Sequence, residues 1–184
     1  PAKAFYIIRH GESTANLAER VSGSVDVELT ERGIQQAQDA ARIVDALELK
    51  PSVIIHSHLQ RARNTAHILN QNLAAPLIED PLIAEQFYGD WEGRPWAESR
   101  QSIREGIDPP NGETHAAFHE RVKGAITNFV NSHPGPVMVV CHGGVFRALG
   151  ALYGEKIHGI TNCSLHYFEP FENNKSFPWN IRTF

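Results

Sequence analysis

Cysteine, methionine and runs of like charge are scarce in this chain, whose 184 residues include two cysteines and one methionine. The two thiols, Cys141 and Cys163, each sit in or beside an apolar strand-like run. They argue against a disulfide-built scaffold and read as buried and reduced, as in a cytoplasmic protein. No stretch approaches the ~18 consecutive apolar residues of a membrane span, and the amino terminus has no long apolar core of a secretory signal. No membrane partner is therefore expected. Lys and Arg form no run and the net charge is −4, which removes the usual footprint of nucleic-acid binding. An anionic ligand has to be met by cations that the fold brings together. There is no internal repeat and no low-complexity tract, and the length suits one domain spanning residues 1–184. Oligomeric state is left open.

What the chain does have is a regular alternation of buried strands and amphipathic helices. The consecutive apolar residues of Ala4 to Arg9 mark a strand covered on both faces. After a polar, glycine-containing loop, Thr30 is placed to cap a helix from Glu31 to about Leu49, with Ile34, Ala37, Ala41, Val44 and Leu47 on its inner face. Pro51 precedes a second buried strand at Val53–Ile55. A helix from Leu59 to Leu73 follows, with Ala62, Ala66 and Leu69 inward, and a short strand lies between Pro76 and Pro81. Residues 86–112 show no clean period; they hold two tryptophans, four glycines and three prolines. A long irregular stretch with such aromatics reads as ordered and functional. Helical spacing returns from Thr114 to Asn131, then a strand at Val137–Cys141, a helix after His142, and one or two strands beyond Cys163. This pattern predicts an α/β layered sandwich with a largely parallel central sheet flanked by helices.

In such sheets ligands gather beyond the carboxyl ends of the strands. Three strands here end in informative residues: Arg9-His10, Ser57-His58 just before Arg61, and Cys141-His142. Phosphoryl transfer needs cations around the equatorial oxygens, an in-line nucleophile and a proton for the leaving oxygen. His10 supplies an imidazole nucleophile, and Arg9, Arg61 and His142 supply the cationic cradle. Gly11 leaves room for ligand and backbone to approach. Gly143-Gly144, behind His142, suits a helix amino terminus that faces an anion. Glu85 is the natural proton donor, with Glu79, Asp80 and Glu92 as nearby alternatives. His56 and His58, two apart, share a strand face as metal ligands sometimes do. No third and fourth ligand stands at a recognised spacing, so no metal and no other cofactor is expected.

Seven blocks in this order resemble the histidine phosphatase superfamily, in the branch of cofactor-dependent phosphoglycerate mutases and small broad-specificity phosphatases. They are Arg9-His10-Gly11-Glu12-Ser13 with Asn16; Gly23, Asp26, Leu29-Thr30, Gly33 and Gln36-Ala37; and Ser57-x-Leu59-x-Arg61-Ala62 with Thr65-Ala66. Glu85 through Gly93, Gly112-Glu113 with Arg121, His142-Gly143-Gly144-Val145 with Arg147, and Asn162-Cys163-Ser164 complete the series. The resemblance implies a phosphoglycerate mutase-like fold and a metal-independent phosphatase acting on a small phosphomonoester. It implies a phosphohistidine on His10 with Glu85 as proton donor. Arg9, Arg61, His142 and Gly143 become phosphate-binding partners, and Asn16 and the backbone near Gly23 secondary contacts.

The chain departs from the family pattern at His56 and His58, and His58 falls beside the expected pocket as a candidate substrate contact. It also lacks the longer insertions that carry basic residues in the mutases, although Arg100 and Arg104 lie in the corresponding segment. A phosphoglycerate mutase, a phosphoprotein phosphatase and a non-catalytic phospho-ligand binder are the other readings. Substrate choice is expected to reside in residues 17–25 and 86–112.

Overall fold

A computed structural model describes residues 3–174 and 176–184. Six strands form one sheet in the order β3-β2-β4-β1-β5-β6: β1 (Phe5–Arg9), β2 (Val53–His56), β3 (Leu77–Glu79), β4 (Val137–Cys141), β5 (Leu165–Pro170) and β6 (Trp179–Thr183). β1, β2, β3 and β4 run parallel, while β5 and β6 add an antiparallel edge. The α/β sandwich with a mostly parallel sheet is as the alternating pattern requires.

Successive side chains of a strand point to opposite faces, so the unbroken apolar runs feed two cores. Phe5 and Ile7 of β1, with Val137 and Val139 of β4, pack against Phe118, Val122 and Phe129 of α5 (His115–Ser132) and Val145 and Leu149 of α6 (Gly143–Tyr153). Tyr6 and Ile8, with Met138 and Val140, pack on the other side against α2 (Glu31–Ala46) and α3 (Gln60–Leu69).

Helix α2 begins where expected, with the Thr30 side chain accepting from Gly33 N–H, but it ends at Ala46 because Leu47 turns extended. Its inner face is also displaced from the expected one. Gly33, Ala37, Ala40 and Val44 are buried and Ile34 is exposed. Gly33 faces inward because two backbone segments touch there: a Cβ on Gly33 would stand 2.1 Å from Glu12 O, and one on Gly11 2.4 Å from Gly33 O. Gly11 is thus demanded by its contact with the start of α2. Helix α3 stops at Leu69, four residues early, where Asn70 exchanges hydrogen bonds with Ala75 and Ala74 adopts a left-handed φ of 51°.

Two segments read as loops contain helices. The loop after β1 holds α1 (Thr14–Leu17), closed by a Ser13/Asn16 capping box, and residues 86–112 hold α4 (Trp96–Arg104). Trp91 and Trp96 pack on Val21, Tyr88 and Ile103 as a small satellite core. That core ties the two segments together: Val21 N–H donates to Arg94 O, Gly93 N–H to Val21 O, and Trp96 N–H to Glu19 O. The cysteines are free, Cys141 buried and Cys163 partly so. Among the described residues no helix is long and apolar enough to cross a membrane.

Candidate active site

β2, β4 and β1 are neighbours in the sheet, so the three informative strand ends stand side by side. Arg9 is opposite Cys141, and His56 opposite Val140, which puts His10, Ser57 and His142 one residue further along one rim. His10 N–H donates to Cys141 O (3.0 Å) and Ser57 N–H to Val140 O (3.2 Å), carrying the parallel ladder right to the site. The rings of His10 and His142 lie 5.2 Å apart. A cavity of about 660 Å³ opens above them, lined by Arg9, His10, Asn16, Arg61, Glu85 and Gly143 among others.

The orientation of His10 follows from one contact. Its Nδ1 lies 2.7 Å from Gly11 O, and a carbonyl only accepts, so Nδ1 carries the proton. In the neutral ring, Nε2 then holds its lone pair. Burial, with Arg61 and Arg9 nearby, keeps the His10 pKa well below the ordinary 6.5 although the bond to Gly11 opposes this. Burial acts likewise on His142, aided by Arg61, His10 and Arg9.

Arg61 is 1% exposed, at the start of α3. Its Nη1 donates to Val25 O (2.9 Å), and its Nη2 to Ser22 O (2.9 Å) and Gly23 O (2.8 Å). Gly23 is therefore a support for Arg61; it is not among the residues lining the cavity, whereas its neighbours Val21 and Ser22 are. A Cβ on Gly23 would meet Gln86 O at 2.2 Å. Thr65 couples the two halves of the cradle: its hydroxyl accepts from Gly11 N–H (3.1 Å) and donates to Arg61 O (2.7 Å).

Four buried polar atoms make no hydrogen bond among the described residues: Nε of Arg9, Nε of Arg61, and both ring nitrogens of His142. Buried polar groups are ordinarily paired, because leaving one unpaired costs about 1–3 kcal/mol. Arg9 and Arg61, which carry two of these atoms, line the cavity, while His142 is fully buried at the same rim and is not among the lining residues.

Glu85 stands over this cradle. Its Oε2 accepts from Gly144 N–H (3.0 Å) at the start of α6, and its Oε1 from Gln86 N–H (2.9 Å). Of the carboxylates near it in sequence, only Glu85 lines the cavity. Glu92 is turned to Ser24 and Tyr88 N–H, and Asp80 caps the turn at Leu82. Tyr88 is the aromatic beside Glu85, whereas Phe87 is 43% exposed.

Asn16 lines the cavity; its Oδ1 accepts from Ser13 N–H and from Asn162 Nδ2, which also donates to His10 O. Arg100 reaches the same cavity, while Arg104 lines a second one. His58 is exposed and off the wall, and His56 is buried with Nδ1 on Ser57 O. Among the described residues no group of three or more His, Cys, Asp or Glu is placed to hold a metal ion. Sequence reasoning did not single out Thr65, Asn162, Tyr88, Arg147 or Arg20 as site residues. Arg147 had a signal, since it belongs to the closing block that begins at His142.

Comparison with known proteins identifies the family. The model of the histidine phosphatase superfamily (branch 1) matches residues 5–178. The chain is 33% identical over 147 residues to the uncharacterized phosphatase PhoE of Bacillus subtilis (strain 168), covering 79% of this chain and 75% of that protein. It is 32% identical over 155 residues to the adenosylcobalamin/alpha-ribazole phosphatase of Escherichia coli (strain K12), covering 78% and 75%. The solved mycobacterial glucosyl-3-phosphoglycerate phosphatase in complex with VO3 superposes with a TM-score of 0.83 at 27% identity, covering 99% and 97%. With a family model spanning nearly all of it and phosphatase relatives at this level, the chain belongs to branch 1 of the histidine phosphatase superfamily.

Proposed function

We propose that the protein hydrolyses small phosphomonoesters without a metal ion, through a phosphohistidine on His10, with Glu85 as proton donor. The observation that carries this reading is the group of unpaired polar atoms of Arg9, Arg61 and His142 around a histidine whose Nε2 is free. The fixed donors hold the non-bridging phosphate oxygens and stabilise the charge that builds on them in the transition state.

In the first step His10 Nε2 attacks phosphorus in line with the ester oxygen. The P–N bond forms, the P–O bond to the leaving group breaks, and the Glu85 proton passes to that oxygen as the alcohol departs. The N–H groups of Gly144 and Gln86 stabilise the carboxylate left behind. In the second step a water attacks the phosphohistidine, its proton passes to Glu85, the P–N bond breaks and inorganic phosphate is released. Donor and acceptor are then as they began. Thr65 and Asn162 hold the His10–Gly11 peptide in place from opposite sides. The guanidinium groups supply the charge stabilisation that a metal ion supplies in other phosphoryl-transfer enzymes.

The test is hydrolysis of p-nitrophenyl phosphate in excess chelator by wild type and His10→Ala. Chelator-resistant turnover that disappears in the variant, with acid-labile label from a 32P-phosphorylated substrate retained only by wild type, is the expected result. Equal turnover by the variant overturns the reading.

A further inference from the structure

The cavity is far more cationic than a single phosphate requires. Five arginines line it (Arg9, Arg20, Arg61, Arg100 and Arg147) against two glutamates, in a chain whose net charge is −4. Arg9 and Arg61 belong to the phosphate cradle, and Arg20 and Arg100 are exposed at its mouth. Arg147 is different. Its exposed side chain lines the cavity, and among the described residues it has no carboxylate within ion-pairing distance. Its one side-chain bond is from Nη2 to the Tyr88 hydroxyl, at 3.0 Å.

A second observation bears on what Arg147 does. A Cβ built on Gly143 would lie 3.5 Å from Arg147 Nη1 and 3.6 Å from Arg9 Nε. Two guanidinium groups therefore flank one point above the start of α6. Burial and the nearby Arg147 hold the Arg9 pKa down, whereas Tyr88 and Glu85 outweigh burial and raise that of Arg147, so both groups stay charged beside one point that an anion can occupy. The Tyr88 phenol stays protonated, since burial and Glu85 push its pKa up. Because its oxygen accepts from Arg147, its O–H remains available as a donor. Arg147 also stands where this cavity meets the second one, of about 560 Å³, whose wall adds Arg104 and Lys156. Glu155 shares that wall, and the lining that continues away from the cradle keeps a cationic excess.

Building on the phosphatase reading, we infer that the substrate's leaving group carries a second oxyanion, a carboxylate or another phosphate, bound by Arg147 Nη1 and the Tyr88 hydroxyl. Charge-assisted bonds of this kind are roughly twice as strong as neutral ones, and the guanidinium suits either group. A neutral leaving group leaves Arg147 with the Tyr88 hydroxyl and no ion-pair partner. Discrimination against it is then large, as for any site built to pair a group that the ligand lacks.

The experiment compares three substrates that share a three-carbon chain: propyl phosphate, 3-phosphonooxypropanoate and 1,3-propanediol bisphosphate. Wild type is expected to favour at least one of the last two about tenfold or more in kcat/KM over propyl phosphate, and which one identifies the oxyanion. Arg147→Gln should bring that ratio towards one, and Tyr88→Phe should lower it in part. Equal use of all three substrates by wild type overturns the inference. So does an equal loss on all three in Arg147→Gln, which would make Arg147 part of the phosphate cradle. The same preference is read without turnover by calorimetric binding of butylphosphonate and 4-phosphonobutanoate. Equal affinity there overturns the inference even if no ester is hydrolysed. Absence of p-nitrophenyl phosphate turnover, by contrast, counts against the phosphatase reading alone.

Discussion

The floor and the mouth of the cavity are both lined with arginine, yet they are built in opposite ways. On the floor, Arg61 is 1% exposed, three backbone carbonyls fix its outer nitrogens, and its Nε has no protein partner. At the mouth, Arg100 is exposed, on a short helix anchored by the satellite core of Tyr88, Trp91 and Trp96. The floor is made from the ends of three adjacent buried strands, which cannot shift without breaking the sheet. The mouth is made from two surface segments joined by a few backbone bonds. A rigid floor suits the chemistry and an adjustable mouth suits the choice of substrate, because preorganised donors matter most where charge develops.

Replacing one arginine from each region sharpens that contrast most. Arg61→Ala should reduce aryl phosphate kcat/KM by ~10³-fold or more. It should also destabilise the fold by about 3–5 kcal/mol in urea titration, since three carbonyls lose their donor. Arg61→Lys should recover stability only partly, because an ammonium cannot span the same fork.

Gly143 and Gly144 give a second contrast, within one helix turn. A Cβ on Gly144 would stand 1.9 Å from Glu85 Oε1, whereas one on Gly143 meets nothing nearer than 3.5 Å. Gly144→Ala should displace the Glu85 carboxyl and lower kcat on alkyl phosphates by about 10²-fold or more. Its effect on p-nitrophenyl phosphate should be much smaller, since that leaving group needs little help from an acid. Gly143→Ala should instead raise KM, with its methyl between two guanidinium groups. A matching kcat loss on both substrates in Gly144→Ala would remove Glu85 from the acid role.

The pH dependence concerns the floor alone. The folded-state pKa values of His10 and His142 are depressed, so the unfolded chain binds more protons below its own value of about 6.5. Their contribution to stability is complete above that pH and is lost as pH falls towards the folded values. Thermal melts in non-phosphate buffer should show Tm falling from pH 7.5 to 5, less steeply in His142→Gln. For the same reason the acid limb of aryl phosphate kcat/KM should lie below pH 6.5, and a limb centred above it would contradict a neutral His10. The smallest effect belongs to the mouth: Arg100→Gln should change aryl phosphate kcat/KM by less than about tenfold and stability by no more than about 0.5 kcal/mol in urea titration.

Much of this was legible in the sequence. Apolar runs at β1, β2 and β4 fix buried parallel strands, and Arg9-His10, Arg61 and His142 follow directly from their ends. The inner face of α2 was not legible. Ile34 is the larger apolar residue, but the backbone contact between Gly11 and Gly33 turns the helix so that Gly33 faces inward. α4 was missed because Trp96–Arg104 carries few apolar residues, and its stability comes from packing on residues distant in sequence. That the Gly23 carbonyl accepts from Arg61 was not legible either, because the two residues are 38 apart in sequence.

By itself, then, the sequence determined the strands, the two faces of the core and which chemical groups stand at the strand ends, because those depend on period and order along the chain. Only the tertiary structure decided which polar atoms are left unpaired, where His10 puts its proton, and that Arg147 shares one cavity with Arg9. Those depend on distances between residues far apart in sequence, and no local pattern encodes them.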